Sequence, residues 1–157
     1  MEPVRSHSAE FVHLQVHSEY SLVDGITRIA PMVATARNAG MPAIAVTEQS
    51  NLFSLVRFYT AAQKAGIKPI IGADVWVANE DSADESFRLT LLCRSNEGYR
   101  QLARLGSRSY IEGQGSGRPV IDRAWLKDES SGLVALGGGR YGPVGHALLA
   151  GKPDEAK

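Results

Sequence analysis

PMVATARNAGMPAIAVTEQSNLFSLVRFYTAAQKAGIKPIIGADVWV, residues 31–77, decides the fold. Its start reads as a helix over 31–38, with Pro31 tolerated in the first turn, where its missing N–H is harmless, and Gly40 ending it. The short apolar run 43–47 reads as a buried strand. Leu52, Leu55, Val56, Tyr59 and Ala62 recur at helical spacing, so 52–65 is a second amphipathic helix, stopped by Gly66. The Ile- and Val-rich segment 69–77 is the next strand. Upstream, 11–16 reads as a strand that completes a first βαβ unit with the helix 31–38 and the strand 43–47.

The alternation continues downstream. An acidic loop over 79–86 leads to a strand over 87–93, and Ser95 is placed to cap a helix over 96–107. A glycine-rich loop over 113–117, a short helix over 121–126, a strand over 132–136 and a last helix over 144–150 follow. Repeated βα units with short apolar strands imply an α/β fold with a mainly parallel sheet covered by helices, either open or closed into a barrel. In both arrangements functional groups gather at the carboxyl ends of strands. Chemistry is therefore to be sought immediately after Val16, Val46 and Ile71.

Composition narrows the function. A chain of 157 residues is the size of one domain. Its 17 basic and 17 acidic side chains give zero formal charge, which argues against a strong nucleic-acid binder, because backbone affinity needs clustered Lys and Arg. The stretch 88–123 is the exception, with Arg100, Arg104 and Arg108 at i, i+4 spacing; an acidic or nucleic-acid partner competes there with a plain solvated helix face. No apolar run approaches the roughly 20 residues of a membrane span, and the N-terminus lacks an apolar signal core, so a cytoplasmic protein with no membrane partner is expected. Cys93, the one cysteine, lies in an apolar run and reads as a buried structural thiol.

Strand alternation puts His13, Gln15 and His17 on one face, a polar row emerging at a strand end. Alone this is a weak metal signal, against which a histidine bonded within the fold competes. Other strand ends add to it. Asp24 sits in an Asp-Gly turn, Glu48 and Gln49 follow the second strand, and Asp74 follows Gly72. The segment GGGRYG, 137–142, lies between a strand and a helix as a phosphate loop would, but matches no phosphate-binding pattern and reads as a tight turn. His7 and His146 are isolated, with surface or packing roles.

FVHLQVHSEYSLVDG (11–25), GMPAIAVTEQSNLFSLVRFY (40–59) and AGIKPIIGADVWV (65–77) resemble the PHP domain that opens the alpha subunits of bacterial DNA polymerase III. The likeness continues through LTLLCRSNEGYRQLARLGSRSYIEG (89–113), VIDRAWL (120–126) and GLVALGGGRYGPVGHALLAGK (132–152), and HSEYSLVDG looks more like the replicative than the error-prone type. The resemblance implies part of a distorted (β/α)7 PHP barrel, incomplete in this chain, over 11–157, after a flexible N-terminus over 1–10. Metal-binding members use a His-x-His pair, an aspartate before glycine, the histidine of Thr-Asp-His-Gly and the glutamate of Gly-x-Glu. Here the first position is Gln15, His17 and Asp24 are kept, Gln49 replaces the second motif's histidine, and Asp74 replaces the glutamate. An amide oxygen is a poorer ligand than imidazole, and Asp is one methylene shorter than Glu. The resemblance thus implies a vestigial metal site of His17, Asp24 and Asp74 with Glu48 nearby, no expected cofactor and at most residual zinc or manganese. It also implies a non-catalytic module that docks the proofreading exonuclease subunit, joined to polymerase domains that act on DNA. A metal-dependent phosphoesterase or proofreading nuclease of the PHP family is the alternative.

Overall fold

The computed structural model describes residues 11–79, 82–115 and 117–156. The flexible N-terminus expected over 1–10, and His7 with it, lies outside the described residues. The ordered chain runs α1 (Ile29–Asn38), β1 (Ala43–Gln49), α2 (Leu55–Ala65), β2 (Lys68–Asn79), β3 (Ser82–Cys93), α3 (Asn96–Glu112), β4 (Val120–Ile121), α4 (Arg123–Asp128), β5 (Leu133–Gly137) and α5 (Pro143–Leu149). Local chemistry sets several of these limits. Gly66 ends α2 in the left-handed conformation, the Ser95 hydroxyl accepts from the Gly98 amide to start α3, and Asp122 caps α4 by accepting from Ala124 N.

The sheet order is β1-β2-β3-β5, with β4 pairing the far end of β2. β1 and β2 are parallel, as their α2 crossover requires, and β4 is also parallel to β2. β3 is antiparallel to both β2 and β5. The sheet is therefore mixed, which corrects the expected mainly parallel arrangement. The cause lies in 79–82: so short a connection permits a hairpin but no crossover, and the acidic stretch expected as a loop is largely strand. The architecture is α/β and consistent with part of a barrel.

Two apolar clusters hold it together. Ile29, Met32, Val33, Ile44, Val46, Phe58 and Ala62 pack α1 and α2 against β1. Ala73, Val75, Leu91, Leu102, Leu105, Ile121 and Leu133 pack α3 against the sheet. Each large side chain buried in this way contributes about 1.5–3 kcal/mol. Cys93 borders the second cluster, and burial pushes its thiol up to about 11, in keeping with an inert packing role.

The strand expected over 11–16 does not form. The chain runs extended beside β1, but Ala45 N donates to His13 O and Thr47 N to Val16 O, both at 2.8 Å. Acceptors three residues apart thus serve donors two apart, so the register slips at the bend at Leu14. The Thr47 hydroxyl instead accepts from Val16 N at 3.0 Å. This segment is attached to the sheet mostly by side chains, and those side chains make the site.

Candidate functional site

β2 alternates sharply. Ala73, Val75 and Val77 face the core, which turns Asp74 and Trp76 to the opposite face. The β2–β3 register pairs Asp74 with Thr90 and Trp76 with Arg88, so Thr90 and Arg88 lie on Asp74's face, Thr90 directly opposite and Arg88 on the diagonal. Two glycines give the backbone room. At Gly72 a Cβ would stand 2.5 Å from Leu91 O, and at Gly25 it would stand 1.7 Å from Ser18 O, so the Asp24-Gly25 turn closes onto the loop carrying His17.

Asp74 is the centre, with none of its side chain exposed. Its Oδ2 accepts from Gln15 Nε2 at 2.6 Å, lies 2.8 Å from His17 Nε2 and pairs with Arg88 Nη2 at 3.0 Å. Its Oδ1 accepts from the Thr90 hydroxyl. Across the ring, His17 Nδ1 lies 2.7 Å from Asp24 Oδ1, which also accepts from Ser21 Oγ at 3.0 Å. Arg88 Nη2 lies 3.7 Å from Asp24 Oδ2 and 3.1 Å from His17 Nε2.

Charges in this knot tune one another. The bond to Asp74 raises the His17 pKa, burial opposes it, and Asp24 adds to the rise. Burial pushes both carboxyls upward, but His17 and Arg88, with Ser21 at Asp24 and with Thr90 and Gln15 at Asp74, bring each below its ordinary value. The two carboxylates thereby favour the protonated form of the imidazole.

Glu48 takes a separate role. Only 1% exposed, it accepts from Ser18 N at 2.9 Å and from the Ser18 hydroxyl, tethering the turn Glu19–Ser21. Gln49 joins the site through its backbone, its N–H donating to Ser21 Oγ at 3.0 Å. His13 stacks edge-on against Phe11, and His146 packs likewise against Phe87. GGGRYG forms a tight turn through Gly139–Tyr141. The arginines of α3 are paired, Arg100 and Arg104 with Glu97, Arg104 also with Glu129 and Arg108 with Glu112, which makes that surface a charge-balanced face.

The PHP domain family model matches residues 13–157. The chain belongs to the PHP domain family. Relatives named DNA polymerase III subunit alpha are 48% identical over 95% of this chain in Pseudomonas fluorescens and 50% identical over 90% in Escherichia coli K12. The chain spans 13% and 12% of the length of those two relatives. In fold it is similar to an amidohydrolase from Chromobacterium violaceum whose structure has bound sulfate and no metal, with a TM-score of 0.50 and 20% identity, over 64% of this chain and 33% of that one.

His17, Asp24 and Asp74, singled out from the sequence, do come together in this PHP domain, whereas Glu48 is tied to Ser18. Their donor set does not fit a divalent ion. Ionised carboxylates offer about four lone-pair sites, and Asp74 already faces four donors. An ion within about 4 Å of the Arg88 guanidinium would also meet a repulsion of about 8 kcal/mol at an effective dielectric constant of about 20. Among the described residues no group of three or more His, Cys, Asp and Glu side chains is disposed to hold a metal. Sequence reasoning missed Arg88 and Thr90. The available signal was an arginine and a threonine at i, i+2 among Phe87, Leu89, Leu91 and Leu92 of β3.

Proposed function

We propose that this chain is the N-terminal PHP region of a replicative DNA polymerase III alpha subunit, serving DNA replication as a non-catalytic module that docks the proofreading exonuclease while other domains extend the primer. The observation that supports the non-catalytic reading is the engagement of Asp74 by Gln15, His17, Thr90 and Arg88, which compete within the chain for the carboxylate oxygens a metal would need. Close similarity to relatives named DNA polymerase III subunit alpha supports the wider assignment.

In the intact protein, His17→Ala with Asp24→Asn is expected to leave nucleotide incorporation on a primed template nearly unchanged at temperatures where both forms are folded. A large fall in incorporation, with melting temperature and exonuclease affinity unchanged, would make the pocket part of the chemistry. Docking is tested by cross-linking the intact protein to the exonuclease subunit. Cross-links at lysines such as Lys64, Lys68 or Lys127 are expected, and a complex cross-linked only outside residues 11–156 contradicts the docking role.

A further inference from the structure

We propose that Arg88 is the resident cation of this PHP site, holding the N-terminal segment to the sheet in the place where a divalent ion would do so. Three pieces of chain meet at its guanidinium. Asp24 belongs to the loop before α1, Asp74 to β2 and Arg88 to β3. The loop is also held by hydrogen bonds, from Ser18 to Glu48, from Gln49 N to Ser21 Oγ and from Asn51 Nδ2 to Tyr20 O. Arg88 adds a charged bridge where the register slip at Leu14 prevents a continuous ladder with β1. Without a cation between them, Asp24 and Asp74 would bring two carboxylates to one imidazole.

Position and charge both suit the role. Arg88 is 15% exposed, and its Nη2 stands 3.0 Å from Asp74 Oδ2 and 3.7 Å from Asp24 Oδ2, so one nitrogen bridges two carboxylates from separate segments. Arg88 offsets part of the charge that the two carboxylates bring together. A guanidinium stays charged at any pH a protein experiences, so the bridge does not depend on ion supply. Its charged contacts are to the two carboxylates, and its guanidinium carbon lies 6.0 Å from the Trp76 ring centroid. The β-ladder makes the geometry rigid, since Arg88 is fixed opposite Trp76 and two residues from Thr90, which holds the other oxygen of Asp74.

The experiment is a double-mutant cycle read by hydrogen exchange in the intact protein, following peptides over residues 15–24 and 45–49, whose Ser18, Thr47 and Gln49 amides are hydrogen-bonded here. Arg88→Met removes the charge at similar length, Asp74→Asn removes its partner charge, and the cycle reports their coupling. Arg88→Met is expected to speed exchange over 15–24 at least tenfold. The double variant is expected to exchange several-fold more slowly than the product of the single effects predicts. Arg88→Lys, which keeps the charge and loses the fork, is expected to fall between the original protein and Arg88→Met. If Arg88→Met does not fold, the cycle is run from Arg88→Lys. Multiplicative effects, or a lysine variant no better protected than the methionine variant, overturn the proposal. Protection that falls on adding a chelator, or rises on adding zinc or manganese, while Arg88 is present would equally overturn it. These readouts do not depend on exonuclease docking, so they stand or fall separately from the proposed function.

Discussion

Asp74 and His17 are connected so that each sets the other's protonation, and this gives the site a pH signature. The His17 pKa is raised above its ordinary 6.5, so its contribution to stability is fully present below that value and is lost as pH rises through the higher folded value. The carboxyls of Asp24 and Asp74 are lowered from their ordinary 3.8, so their contribution is present above that value and is lost as pH falls through the lower folded values. The network is strongest between those limits. The stability difference between the original protein and His17→Phe, measured by denaturant unfolding, is expected to shrink steadily from pH 6 to pH 9. A difference that grows over that range contradicts the assignment. His17 and Asp24 were legible from a polar row after an apolar run and from an Asp-Gly turn, and Asp74, inside β2, from its place two residues after Gly72 where the resemblance puts a ligand. Gln15 was legible only as a substitution at a ligand position; that its amide donates to Asp74 is a matter of geometry. Arg88 was not legible, because placing it required the β2–β3 register.

At the scale of elements, that hairpin is where sequence reasoning and structure part. Apolar runs and their glycine stops located β1, α2, β2 and the start of α3 within a few residues. Strand direction is not carried by those runs. It was set by the short connection between β2 and β3, which an acidic composition disguised as a loop. The segment 11–17 failed for the opposite reason: its apolar alternation is that of a strand, but the slip at Leu14 denies it a ladder. Gly72 marks the tightest passage between neighbouring strands, with a would-be Cβ 2.5 Å from Leu91 O, 2.6 Å from Leu92 Cδ2 and 3.1 Å from Thr47 Cγ2. Because backbone cannot move aside as a side-chain tip can, Gly72→Ala is expected to cost about 1–3 kcal/mol. Chemical denaturation checks this, and an unchanged midpoint and slope would show that β1 and β3 can separate freely at this point.

For the molecule as a whole, PHP membership and polar strand ends coexist with a site closed by the chain's own side chains. Family resemblance predicts where functional groups lie, but not whether they face a ligand or one another. Here four donors converge on one buried carboxylate, and an arginine from the adjacent strand bridges it to a second. The structural role proposed for the domain rests on that closure, and the proposed docking of a partner enzyme makes no demand on the pocket. The most direct test is elemental analysis of the intact protein after dialysis against metal-free buffer. The account predicts substoichiometric zinc and manganese, unchanged in His17→Ala. One tightly held ion per chain, lost on His17→Ala, would show that the site binds metal and would contradict the account.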